Sequence, residues 1–195
     1  TCNTAVFPYT LGAFLQITGD ARLGDPIEKA VFNAALGAVT KDFRAHQYFS
    51  CPNRVVASLK SNLFGHHPGR MAFSPGHDVE CCTGNVTRFL PYYADQMWLR
   101  APGNGVAAAL YGASSVRAEV GAEHATVVIR QETAYPFSES VELTVETERP
   151  VAFPLHLRIP LWAKGASVSV NGEPASRTVE PGTFFVLERT FANGD

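Results

Sequence analysis

The feature that most constrains this chain is a change of hydrophobic period near residue 100: apolar residues recur at helical spacing before it and alternate after it. A chain with the two periods in separate blocks is neither one helical bundle nor one sheet. It reads as a helical domain over residues 1–100 and a β domain over residues 105–195, divided at Ala101-Pro102-Gly103-Asn104-Gly105. In the first block, the apolar run over residues 5–18, closed by Thr18-Gly19-Asp20, predicts a helix with Pro8 in its first turn. Asp25-Pro26-Ile27-Glu28 supplies an N-cap acid, a proline at the first helical position and a Glu placed to reach back. Ile27, Val31, Ala34 and Ala38 then mark one face of that helix. Residues 45–80 hold no period and contain Pro52, Pro68 and Pro75 with Gly65, Gly69 and Gly76, a long irregular connection of the kind that usually serves function. A third helix is predicted over residues 85–99, kinked at Pro91.

After residue 105, Val141, Leu143 and Val145 interleave with Glu142, Thr144 and Glu146, and Leu155, Leu157 and Ile159 interleave with His156 and Arg158. These six apolar residues are expected to face inward. Val168 and Val170 run into Asn171-Gly172, the strongest short hairpin signal, and Pro181-Gly182 precedes a strand starting at Thr183. Short strands at this spacing predict an antiparallel β-sandwich. Three helices and a long loop make a poor core by themselves, and the chain opens on Thr1 and stops on the turn sequence Asn193-Gly194-Asp195. The helical block is therefore expected to be part of something longer.

With 46% hydrophobic and 17% charged residues in 195, the chain is too apolar for disorder. Sixteen Lys+Arg against eighteen Asp+Glu leave a net charge of −2, so nucleic acid and anionic lipid are not expected partners. No run approaches the roughly 18 apolar residues that span a bilayer. Four cysteines, Cys2, Cys51, Cys81 and Cys82, all lie in the first 82 residues. Adjacent cysteines bridge each other only through a strained ring, so Cys81 and Cys82 share a metal, face opposite ways or pair elsewhere. Cys51, before Pro52, reads as a small buried hydrophobe. The segment His77-Asp78-Val79-Glu80-Cys81-Cys82-Thr83-Gly84-Asn85 gathers thiols, carboxylates and an imidazole before a predicted helix, whose N-terminus favours thiolate; zinc would favour it more. Catalytic site, closed zinc staple and vicinal-dithiol switch all remain open on this spacing. His66-His67 reads as a solvated loop or a pocket lining, Trp98 and Trp162 as core, His124 and His156 as surface positions on strands, and Asn85 and Arg88 as residues that cap and orient the helix after the pair.

The string Cys81-Cys82-Thr83-Gly84-Asn85-Val86-Thr87-Arg88, with Thr1-Cys2 far upstream, resembles glycoside hydrolase family 127, the β-L-arabinofuranosidase group. Tyr48-Phe49-Ser50-Cys51-Pro52 and Leu157-Arg158-Ile159-Pro160-Leu161-Trp162-Ala163 share the likeness. The resemblance implies the C-terminal part of an (α/α)6 barrel followed by a β-sandwich. It implies one zinc ion held by Cys2, Cys81 and Cys82, with Cys81 also the nucleophile and Tyr48 a substrate contact. The family's zinc-binding glutamate would directly precede Thr1, and its acid/base glutamate and sugar-binding histidines lie further upstream; Glu80 does not match that acid/base. The implied function is a zinc-dependent retaining glycoside hydrolase acting on β-L-arabinofuranosides or related plant-glycan sugars. The competing reading is a non-catalytic carbohydrate-binding or structural β-sandwich module with a structural zinc–cysteine site.

Overall fold

The computed structural model describes residues 1–51, 55–61 and 69–195. They form two compact units, one of Thr1–Phe14 and Pro26–Asp95, the other of Leu15–Asp25 and Gln96–Asp195. No helix among the described residues is long and apolar enough to cross a membrane.

The first unit takes its opening turns from α1 (Cys2–Thr18). The helix starts three residues earlier than its apolar run, so Pro8 is interior and not in the first turn. It has no N–H to offer the Thr4 carbonyl. α2 (Gly24–Lys29) passes without a break into a π-helical turn, Ala30–Ala35. Asp25 therefore lies inside the helix and is not its N-cap. Ile27, Val31, Ala35 and Ala38 are buried, whereas Ala34 is exposed. The wide turn is the reason: with i→i+5 bonding, the residue four on from Val31 falls on its face and the residue three on rotates away. Phe32 meets Tyr93 edge-on at 5.0 Å, and Phe43 stacks near Phe89 at 6.5 Å.

The third predicted helix becomes two, α3 (Cys81–Val86) and α4 (Phe89–Asp95). Pro91 explains the break, because it cannot donate to the carbonyl of Thr87, where the first helix stops. Residues 98 and 99, expected as the end of that helix, belong instead to a strand over 98–101. The long connection carries no helix or strand among its described residues. It is pinned by His46, which bridges to Val39 and to Ser74; His46 N–H donates to Ser74 O and Ser74 N–H to His46 O, both at 3.0 Å. Pro52, Gly65, His66, His67 and Pro68 lie outside the described residues.

The second unit holds nine strands: β1 (Trp98–Ala101), β2 (Gly105–Ala108), β3 (Ser114–Val120), β4 (Ala125–Glu132), β5 (Glu142–Thr147), β6 (Val151–Arg158), β7 (Ser169–Val170), β8 (Glu173–Pro174) and β9 (Phe184–Phe191). They form sheets of order β1-β2-β6-β9, β3-β4-β5 and β7-β8. Residues 101–105 make the β1–β2 turn, and Asn171-Gly172 closes the β7–β8 hairpin with φ of 54° and 83°, as an Asn-Gly two-residue turn requires. One ladder departs from the antiparallel expectation: β2 and β6 run parallel, pairing Val106 with Leu155 and Ala108 with Leu157. The chain reaches β6 only after building the β3-β4-β5 sheet, so no hairpin fixes the direction of that pair.

Both larger sheets feed one core, with Val106 and Ala108 from β2, Val127 and Ile129 from β4, and Phe153 and Leu155 from β6. Val145, Leu155, Leu157 and Ile159 are buried as their alternation predicts, and Val141 and Leu143 pack against the core half-buried. Trp98 joins them, but Trp162 is 51% exposed and is not core. His124 is exposed, in a turn rather than a strand, while His156 on β6 is half-buried. Arg158 is wholly buried, its Nη1 2.7 Å from Asp25 Oδ1, its Nε donating to Ala109 O at 2.6 Å and its guanidinium over the Tyr111 ring. Asp25 also accepts from the Leu161 N–H at 2.9 Å. Gly24 permits this approach: a Cβ there would meet the Arg158 side chain at 2.5 Å.

Candidate metal centre

Cys2 opens α1, and Cys81 and Cys82 open α3, a placement that turns three distant sequence positions into neighbours. Their sulfurs lie within 4.8 Å of one another, the sole such group of possible metal ligands among the described residues. Cys2 Sγ is 3.6 Å from Cys82 Sγ. Two thiolates bound tetrahedrally at 2.3 Å stand about 3.8 Å apart, so the spacing and the soft donor set both fit zinc. Cys82 is buried, Cys2 is half-buried and Cys81 is exposed. Cys51 is half-buried and lies outside the group.

The backbone holds these positions with short bonds. Thr1 N donates to Tyr48 O at 2.8 Å, and the Thr1 hydroxyl donates to Gln47 O, tying the start of α1 to the long connection. Cys82 Sγ reaches the same Tyr48 carbonyl at 3.9 Å. Asn85 is buried; its amide donates to Cys81 O at 2.7 Å and hydrogen-bonds Cys2, while its Oδ1 accepts from Arg88. Asn85 thus does more than cap and orient the helix.

The three sulfurs are not equivalent. Burial, followed by the thiols of Cys81 and Cys82, pushes the Cys2 pKa up to about 11. Cys81 is lowered, chiefly because the Cys2 thiol donates to it, with the Tyr48 hydroxyl and Cys82 adding to the effect against desolvation. These donors favour the ionised form of Cys81, the sulfur open to solvent. A helix N-terminus was the expected cause. The backbone N–H of Cys82, in the first turn of α3, does contribute, after the thiol and hydroxyl donors.

Tyr48 stands beside Cys81, its own hydroxyl pKa raised because it donates there. Its ring lies under the Arg70 guanidinium at 4.7 Å and near His77 at 5.9 Å. Arg70 is paired with Asp78 at 2.5 Å, and that pairing raises its pKa. His77 Nε2 lies 3.0 Å from His46 O, and burial lowers the pKa of His46. Glu80 is not part of the sulfur group and accepts from the Thr83 hydroxyl at 2.5 Å. The Arg70–Asp78–Tyr48 grouping is absent from any spacing rule, since residues 48, 70 and 78 meet only through the irregular connection.

Residues 1–95 match the family model for the β-L-arabinofuranosidase GH127 catalytic domain, and residues 105–195 match that for the GH127 middle domain. The chain belongs to glycoside hydrolase family 127. Among solved structures, a glycoside hydrolase superposes with a TM-score of 0.78 at 27% identity, covering 93% of this chain and 29% of its own. Ara127N-Se, a GH127 β-L-arabinofuranosidase from Geobacillus stearothermophilus T6, gives 0.74 at 26% identity, with 93% and 28% covered. The GH127 β-arabinofuranosidase BT3674 shares the fold at a TM-score of 0.77 and 22% identity, with 97% and 30% covered. The chain thus spans less than a third of the length of these solved structures. No curated protein matches it.

Proposed function

We propose that this GH127 chain carries the nucleophile half of a zinc-dependent retaining glycosidase acting on β-L-arabinofuranosides or related plant-glycan sugars. In this reading residues 1–100 are the C-terminal part of an (α/α)6-barrel catalytic domain and residues 105–195 a β-sandwich. The observation that carries it is the convergence of Cys2, Cys81 and Cys82 within 4.8 Å, with Cys81 the sulfur left exposed. A closed structural staple has no use for a solvent-open sulfur.

Cys2, Cys81 and Cys82 are the zinc ligands of this reading, and a glutamate directly before Thr1 completes the set. The ion would supply Lewis-acid charge that keeps the thiolates ionised and eases departure of sulfur from carbon. The chemistry on the chain is then that of Cys81. Its thiolate attacks the anomeric carbon, the C–S bond forms and the C–O bond to the aglycone breaks, with the leaving oxygen taking a proton from a carboxylic acid outside these residues. In the second half a water oxygen attacks the same carbon, its proton passes to that carboxylate, and the C–S bond breaks with its electron pair on sulfur. Tyr48, beside the sulfur, is placed to touch the sugar as it bonds to Cys81.

The test is release of a chromogenic aglycone from an aryl β-L-arabinofuranoside by the full-length parent. Cys81→Ser is expected to abolish turnover, because a serine hydroxyl is neither ionised at neutral pH nor a comparable zinc ligand, while Cys51→Ser keeps it. Near-normal turnover by Cys81→Ser removes Cys81 as nucleophile. Zinc binding with no turnover by the unaltered parent favours the structural-module reading.

A further inference from the structure

We propose that the open edge of β5 is a docking edge for one further strand of the full-length parent, formed by the residues that directly follow Asp195 and running antiparallel to β5. The proposal lies wholly within the second unit and does not depend on the glycosidase reading.

β5 is an outer strand of its sheet, paired to β4 along one side. Along the other side, the backbone groups of alternate residues point outward, as on any edge strand. At the Thr147 end these groups are taken. Thr147 N–H donates to Asn193 Oδ1 at 3.1 Å, Gly194 N–H donates to Val145 O at 2.8 Å, and Val145 N–H donates to Asp195 O at 2.8 Å. Gly194 and Asp195 together thus stand opposite Val145 alone, with the glycine at φ 88°. That is the bulge in which a left-handed glycine joins an antiparallel pairing. β9, from which the chain comes, belongs to the other large sheet, so residues 192–195 carry the backbone from one sheet onto the edge of the other. The landing is anchored on both sides. Asp195 Oδ1 accepts from Asn171 Nδ2 at 2.9 Å, and its Oδ2 accepts from the Ala192 N–H at 3.0 Å and lies 3.2 Å from Arg189 Nη2. Asp195 N–H closes the turn on Ala192 O at 3.2 Å.

The next outward-facing backbone groups along β5 are those of Leu143, for which no partner is found among the described residues. Burial changes at the same place. Val145, flanked by Gly194 and Asp195, is 2% exposed, whereas Leu143, on the same face of the strand, packs against the core only half-buried. A strand that continues from Asp195 supplies both missing contacts. The bulge sets its register: the second residue after Asp195 falls opposite Leu143 and the fourth opposite Val141. Both would face the core and are expected to be apolar. A second copy of this chain fits the edge poorly, because Gly194 and Asp195 already hold Val145 and leave only Val141 and Leu143 to pair, fewer than a stable strand uses. The parent has chain to spare for this strand, since the 195 residues cover 28% of the length of Ara127N-Se.

The experiment is amide hydrogen exchange, read at single residues, on the 195-residue chain and on the full-length parent. In the chain, the Val145 N–H is expected to be protected and the Leu143 N–H to exchange within about tenfold of an unstructured amide; in the parent, Leu143 is expected to slow by at least about tenfold more. Gly194→Val in the parent is the second arm. A Cβ at Gly194 meets nothing within 4 Å, so the variant opposes the backbone angle and not the packing. It is expected to return Leu143 toward the open rate while Ile129, on the interior strand β4, stays protected. If Ile129 loses protection too, the variant has unfolded and the comparison of chain with parent decides alone. Fast exchange of Leu143 in the parent, undiminished Leu143 protection in a folded Gly194→Val, or charged residues at both the second and fourth positions after Asp195 each overturns the proposal. Leu143 protection in the chain that rises with protein concentration assigns the edge to a second copy and overturns it as well.

Discussion

Cys81 and Cys82 are chemically alike and adjacent in sequence, yet the fold gives them different surroundings. Cys82 points into the unit with 1% exposure, while Cys81 faces solvent and takes hydrogen bonds from its neighbours. The three cysteines should therefore act as one in binding and separately in reaction. Serine at Cys2 or Cys82 is expected to lower zinc affinity by at least tenfold, and at Cys51 to leave it unchanged, as read by competition with a chromogenic chelator. Asn85 belongs to the same scale: its amide serves both the Cys81 carbonyl and Cys2. Asn85→Ala should cost 10–100-fold in zinc affinity, the usual effect of removing a group that orients metal ligands, with Cys81 still open to alkylation. An affinity equal to that of the unaltered chain would reduce Asn85 to a helix cap.

At the level of elements, the second unit is tied together by a buried charge. Arg158 on β6 has no exposure and spends its guanidinium on Asp25, the Ala109 carbonyl and the Tyr111 ring. Asp25→Ala strands that charge in the interior and should destabilise the unit by about 3–5 kcal/mol in chemical denaturation, with Arg158→Met less costly because nothing charged is left unpaired. On the same strand, burial lowers the pKa of His156, against a smaller opposing pull from Glu188. The unfolded chain then binds the proton more readily than the folded one. Stability contributed at this position is full above the unfolded pKa of about 6.5 and falls as the pH drops toward the lowered folded value. Thermal melts of the chain between about pH 7 and pH 5 should show the decline, and His156→Gln should flatten it. A melting profile of the same slope in the variant would assign the decline elsewhere.

For the whole molecule, the chain matches a catalytic-domain model and a middle-domain model yet spans less than a third of the length of the two GH127 structures it superposes on. In the proposed reading the proton donor lies outside residues 1–195. The isolated chain is then expected to bind zinc and to hydrolyse an aryl β-L-arabinofuranoside on the order of 10²–10⁴ more slowly than the full-length parent, the contribution of general acid catalysis alone. Misplacement of the sugar widens that gap. Turnover by the chain equal to that of the parent would place the acid/base within these residues, with Glu80 the first suspect.

Local physics made much of this legible in advance. Alternation in 141–159 determined which side chains face the core, because a strand turns its residues to opposite sides whatever it pairs with. Asn171-Gly172 determined its turn, since the backbone there needs two positive φ angles. The helical reading of 5–18 and the Cys-Cys string were legible for the same reason: each depends on residues close in sequence. What the tertiary structure alone decided is long-range. The parallel β2–β6 ladder, the π-helical turn that exchanges Ala34 for Ala35, the burial of Arg158 against Asp25, and the meeting of Arg70, Asp78 and Tyr48 each join or respond to segments that no local period relates. The cysteine cluster lies between the two cases. Its residues stood out by type and by family likeness, but the 3.6 Å between Cys2 and Cys82 exists only because the chain folds back 80 positions to close it.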